Sequence, residues 1–103
     1  MVGEIIMVII EKKRLHAIVE GRVQGVGFRY FVVDLANTLE LDGWVRNRWD
    51  ESVEVVVEGE EPVLSQFLER LKRGPRGSMI AGVKIEWQTA TGEFVGFHVK
   101  PTA

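Results

Sequence analysis

The chain has 103 residues, 46% hydrophobic and 27% charged, with a formal charge of -2 and no cysteine. That length fits one core of ordinary size, whereas two domains would each be too small, and the composition is neither disordered nor membrane-spanning. The weak acidic balance supplies no cationic field for nucleic acid or an anionic membrane, and without cysteine there are no disulfides, thiolate metal sites or cysteine nucleophiles.

The first ten residues, Met1 to Ile10, are mostly apolar but far shorter than the roughly 20 residues a membrane helix needs. Glu4 interrupts the run, Lys12, Lys13 and Arg14 follow rather than precede it, and no small-residue cleavage site comes after it, so no signal peptide is expected. Residues 1–13 are expected to form an N-terminal extension, either a tail or an extra strand, ahead of a domain over 14–103. Met7 offers an alternative start. A cytoplasmic chain is the expectation.

From Arg14 the pattern turns regular: Leu15, Ala17 and Val19 alternate with His16 and Glu20, the period of a strand with one buried face. Gly21 to Gly27 break the alternation with three glycines. Phe28, Phe31, Val32, Leu35, Ala36 and Leu39 then fall at helical spacing. Leu41 to Arg48 and Ser52 to Gly59 read as two strands joined by Trp49-Asp50-Glu51 as a hairpin.

Pro62 suits the first turn of a second helix, Leu64, Phe67, Leu68 and Leu71 supply its buried stripe, and Gly74-Pro75 stops it. Val83, Ile85 and Trp87 alternate with Lys84, Glu86 and Gln88 in a further strand, and Phe94 to Val99 follow a turn at Thr91-Gly92 as a last short one. The order strand, helix, strand, strand, helix, strand predicts an α+β, ferredoxin-like βαββαβ sandwich. Its antiparallel sheet carries both helices on one face and a short extra C-terminal strand. That arrangement serves many unrelated functions, so the site must carry the functional argument.

The segment Gly21-Arg22-Val23-Gln24-Gly25-Val26-Gly27-Phe28-Arg29 joins a strand to a helix, where successive backbone N–H groups can converge on an anion. Glycines let the loop fold tightly and let a phosphoryl group approach the backbone. The spacing is that of neither a Walker nor a Rossmann loop. Arg29 falls in the first helical turn and its side chain leans back over the loop. A cation there opposes the helix dipole by a few tenths to about 1 kcal/mol, a conflict that a bound anion resolves. On the residues alone, a simple glycine-rich turn followed by a surface arginine is the favoured reading. Asn47 ends the second strand, and its carboxamide can fix a water molecule or serve simply as a turn residue.

Gly21 to Arg29 together with Gly43-Trp44-Val45-Arg46-Asn47 and Ser52-Val53-Glu54 resemble the two signatures of the acylphosphatase family, over about Arg14 to Val99. The resemblance implies a hydrolase that splits acyl phosphates into a carboxylate and phosphate, with no metal or other cofactor. It implies that the backbone of Gly21, Arg22, Val23, Gln24, Gly25 and Val26 cradles the phosphate, that Arg29 binds substrate and is catalytic, and that Asn47 orients the attacking water. Inorganic phosphate or sulfate is expected in the loop, and the protein is expected to be a monomer or weak homo-oligomer with no nucleic-acid or membrane partner.

Two places depart from the family pattern. Glu51 stands where a hairpin glycine is usual, which demands either another turn geometry or a strained backbone at a side-chain-bearing residue. Pro75-Arg76-Gly77-Ser78 replaces the usual double proline, in a loop remote from the cradle. His16 and His98 lack metal-site spacing and are expected to be structural or exposed; Trp44, Trp49 and Trp87 are expected in core and hairpin packing. Glu58-Gly59-Glu60-Glu61 is expected at a helix start, with Lys72, Arg73 and Arg76 at its end. The low count of five asparagines and glutamines hints at adaptation to heat. Two competing readings are a phosphoryl-holding module of the kind found within larger carbamoyl-transferring proteins, which the stand-alone length disfavours, and a nucleic-acid binder of the same fold, which the charge disfavours.

Overall fold

The computed structural model describes Gly3 and residues 11–103, so most of the extension expected over 1–13 lies outside the described residues, while Lys12 and Lys13 belong to the first strand rather than ahead of it. The elements are β1 (Lys12–Arg22), α1 (Phe28–Thr38), β2 (Asp42–Asn47), β3 (Val53–Glu60), α2 (Glu61–Arg73), β4 (Met79–Thr89) and β5 (Phe97–Val99). The strands form one sheet in the order β4-β1-β3-β2-β5. The first four neighbours pair antiparallel, while β5 joins β2 in parallel. This is the expected βαββαβ arrangement with its added C-terminal strand.

Register explains the core. Leu15, Ala17 and Val19 of β1 lie opposite Val57, Val55 and Val53 of β3, and Val45 of β2 lies opposite Val55. All seven are fully buried. They pack with Phe28, Val32, Leu35 and Ala36 of α1 and with Leu64, Phe67, Leu68 and Leu71 of α2. Both helices therefore cover one face, because the period-two and period-3.6 apolar stripes meet there.

The other face carries ion pairs. Glu54 Oε2 lies 2.7 Å from His16 Nε2, and Glu54 Oε1 accepts from Arg46 Nε at 2.6 Å. Glu58, only 6% exposed, accepts from Arg14 Nε at 2.7 Å, Thr91 N at 2.9 Å and Gly92 N at 3.0 Å. Burial would raise the Glu58 carboxyl, but these donors together outweigh it and hold it below the ordinary value. Glu58 thus anchors the β4–β5 connection from β3, the strand in which the alternation over Ser52 to Gly59 places it, while the acidic run of which it is part leads into the helix start as expected. Glu60 is the residue that caps α2, and Glu61 opens it.

Some boundaries move. β4 extends back to Met79: Ile80 and Val83 both pack against the core, but an irregularity in the pairing opposite Glu20 and Gly21 sets them three positions apart and breaks the period of two. The last strand begins at Phe97 rather than Phe94, since Gly96 donates to Asp42 Oδ1 at 2.9 Å and holds the preceding residues in a loop. The tryptophans are corrected too. Trp49 at the hairpin tip is 81% exposed, and Trp87, on the outermost strand, is 40% exposed. Trp44 lies on the open face beneath Arg46 and Lys100, whose cationic groups sit 4.8 and 4.6 Å from its ring.

Candidate active site

The β1–α1 connection forms the first wall of the site. Gly25 and Gly27 adopt φ of 74° and 76°, the left-handed region, and a Cβ at either would meet nothing within 4 Å. The requirement for glycine here is conformational, and it leaves open space above the loop. Among the described residues, the backbone N–H groups from Val23 through Tyr30 donate no backbone hydrogen bond; the first such donor is Phe31, to Gly27 O at 3.0 Å. Gly27 caps α1 without a side-chain hydrogen bond, and the first turn holds no acidic residue. The helix start therefore presents free donors and its positive dipole end to the same open space.

Arg29 is the second residue of α1 and is half-buried. Among the described residues its guanidinium has no ion pair or hydrogen bond. A neighbouring carboxylate would have quenched it; its freedom leaves a two-pronged donor available for an oxyanion.

β2 supplies the opposite wall. Since Val45 points under α1 and side chains alternate along a strand, Asn47 points to that same side, at the strand end beside the helix start. Its Oδ1 is buried and has no hydrogen-bond partner among the described residues. Arg29 and Asn47 line one cavity of about 170 Å³ together with Val23, Gln24, Gly25, Gly27, Phe28 and Tyr30. The structure brings together most of the residues singled out in sequence. Gly21 and Arg22 line a neighbouring depression with Val23, Gln24 and Glu51, and Val26 packs partly buried against the core.

The hairpin behind Asn47 takes the second of the two geometries left open for Glu51, which carries φ of 73°. Its N–H donates to Arg48 O at 3.1 Å, and Arg48 N to Ser52 O at 2.9 Å. Ser52 donates from its hydroxyl and its N–H to Asp50 Oδ1 at 2.5 and 3.1 Å. Those bonds hold the Asp50 carboxyl below its usual range and lock the turn.

Sequence reasoning named Gln24 for its backbone but missed the contact of its side chain, and it missed Tyr30 and Ala103 altogether. Gln24 donates from Nε2 to Arg48 O and Ser52 O, both at 2.9 Å, a long-range contact with no local signal. Tyr30 lines the cavity while 75% exposed; its place next to Arg29 could have drawn notice. Ala103 N donates to Asn47 O, and Trp49 N to Ala103 O, each at 3.1 Å, so the C-terminal segment braces the strand end. His16 pairs with Glu54, and His98 Nε2 lies 2.7 Å from Val95 O; neither lines the cavity.

A family model for acylphosphatases matches residues 15–99. The chain belongs to the acylphosphatase family. An acylphosphatase from Moorella thermoacetica is 51% identical over 80 residues, covering 78% of this chain and 86% of that one. The crystal structure of acylphosphatase from Bacillus subtilis superposes with a TM-score of 0.83 at 39% identity, covering 85% of this chain and 98% of that one. Full-length HypF, in a phosphate- and nucleotide-bound form, matches with a TM-score of 0.81 at 29% identity, over 89% of this chain but 12% of that one. The chain is accordingly a hydrolase whose substrate is a small acyl phosphate. No helix among the described residues is long and apolar enough to cross a membrane.

Proposed function

We propose that the β1–α1 loop and Arg29 hold the phosphoryl group of the acyl phosphate while Asn47 aims the attacking water in line with the scissile bond. The carrying observation is the buried, partnerless Oδ1 of Asn47, which shares a cavity with Arg29 beside a run of unpaired N–H donors. The N–H groups and the guanidinium offer donors for the phosphoryl oxygens. Oδ1 can accept a hydrogen bond from a water, setting the water's lone pair toward phosphorus.

The water oxygen forms a bond to phosphorus as the bond from phosphorus to the bridging oxygen breaks. The carboxylate leaves with that electron pair, and the water proton passes to a phosphoryl oxygen. A carboxylate is a good leaving group and phosphoryl transfer is largely positioning and charge stabilisation, so a strong general base is not required. Inorganic phosphate occupies the same cradle as product, and the protein acts as a monomer or weak homo-oligomer.

The test is metal-free hydrolysis of benzoyl phosphate by wild type, Arg29→Ala and Asn47→Ala. We expect losses of about 10²-fold or more in kcat for each, with competitive inhibition by phosphate that weakens in Arg29→Ala. Variants that fold and turn over at the wild-type rate would overturn the assignment. The likeness to a segment of HypF favours a second reading, a module that holds a phosphoryl group without hydrolysing it. Phosphate binding by an inactive wild type would establish that reading instead.

A further inference from the structure

Among the described residues, the only side-chain hydrogen bonds between the loop Val23–Gly27 and the hairpin from Asn47 to Val53 come from Gln24. Its amide nitrogen reaches Arg48 O and Ser52 O at 2.9 Å each. Those two carbonyls close the hairpin, because Arg48 N also donates to Ser52 O and Glu51 N to Arg48 O. A primary amide has two N–H groups, and both are engaged here, so neither is left for a phosphate oxygen. Arg48 directly follows Asn47, which places the clamp one residue from the carboxamide that faces the cavity.

We propose that Gln24 is a positioning residue: its side chain sets the separation between the phosphate-holding loop and Asn47. This rests on the role proposed for Asn47. In-line attack tolerates little error, and a displacement of about 1 Å can cost on the order of 10²-fold in rate. Two walls contributed by separate parts of the chain need a strut, and a planar amide with two fixed donors supplies one. Val23 and Val26 anchor the loop to the core, but among the described residues Gln24 makes its only side-chain hydrogen bonds to the hairpin that carries Asn47.

The test is a double-mutant cycle on the full chain, with Gln24→Met, which keeps length but cannot donate, placed in the wild-type and the Asn47→Ala backgrounds. In the wild-type background we expect kcat to fall about 10- to 100-fold, while the inhibition constant of inorganic phosphate changes less than about threefold. In the Asn47→Ala background the same substitution should cost less than about threefold, since no aimed water is left to misplace. Equal losses in both backgrounds, or no loss in either, would overturn the proposal. A full rate for Asn47→Ala alone would instead overturn the role of Asn47.

Gln24→Glu supplies a readout that a purely structural role does not move, and covers the case in which Gln24→Met fails to fold. Ionised, the glutamate repels both carbonyls; protonated, it regains one donor. Its kcat relative to wild type should rise as pH falls from about 7 to about 4.5, and a flat ratio would contradict the proposal.

Discussion

Replacing Glu58 by glutamine isolates the buried ionic network on the open face. Glu58→Gln keeps the size of the side chain but turns one acceptor oxygen into an amide, so at least one of Arg14 Nε, Thr91 N and Gly92 N loses its acceptor. A hydrogen bond to a charged group contributes about 1.5–3 kcal/mol, and removing one partner of a fully buried ion pair costs about 3–5 kcal/mol. Arg14 keeps Glu93 at 2.6 Å and Thr91 Oγ1 at 2.8 Å, which limits the loss to about 2 kcal/mol. For a domain of this size that lowers Tm by roughly 8–16 °C.

Thermal and urea unfolding at neutral pH measure the effect, and kcat should be unchanged because Glu58 does not line the cavity. The folded carboxyl titrates below its ordinary 4.5, so its contribution is fully present above that value and disappears as pH falls through the depressed one. The gap between wild type and variant must therefore narrow in acid. A loss under about 0.5 kcal/mol at neutral pH, or a gap that widens in acid, would refute the reasoning.

Glu51→Gly removes a side chain from a left-handed backbone, and the relief, of about 1–2 kcal/mol, exceeds the added chain entropy of about 0.5–1 kcal/mol. Urea unfolding should show a net gain of about 0.5–1 kcal/mol. Phe67→Ala empties a fully buried site between α2 and the sheet and should cost about 3–5 kcal/mol by the same measurement. Gly43→Ala would press a Cβ onto Val56 O and the backbone of Val57 at a φ of 150°, and circular dichroism should show the variant largely unfolded at room temperature.

The fold was legible where one face of an element is buried. Leu15, Ala17 and Val19, or Leu64, Phe67, Leu68 and Leu71, announce their period because burial selects it. Met79 to Gly82 announce little, since the register shift opposite Glu20 and Gly21 puts the core-packed Ile80 and Val83 three positions apart and interrupts the period. Arg29 and Asn47 were legible through the family signatures, and period two alone accounts for the direction of Asn47 once Val45 is known to be buried. The clamp of Gln24 on Arg48 and Ser52 was not, because it joins residues 24 and 28 positions apart through carbonyls that every residue possesses. The partner of Glu58 was hidden for a similar reason: alternation places Glu58 on a strand, but Arg14 lies 44 positions away.

The most direct test of the account is hydrolysis of benzoyl phosphate in water enriched in oxygen-18, with the label located in the products. Attack on phosphorus by a water aimed from Asn47 predicts one labelled oxygen in the inorganic phosphate and none in the benzoate. Label in the benzoate would place the attack at the acyl carbon and contradict the roles given to the loop, Arg29 and Asn47.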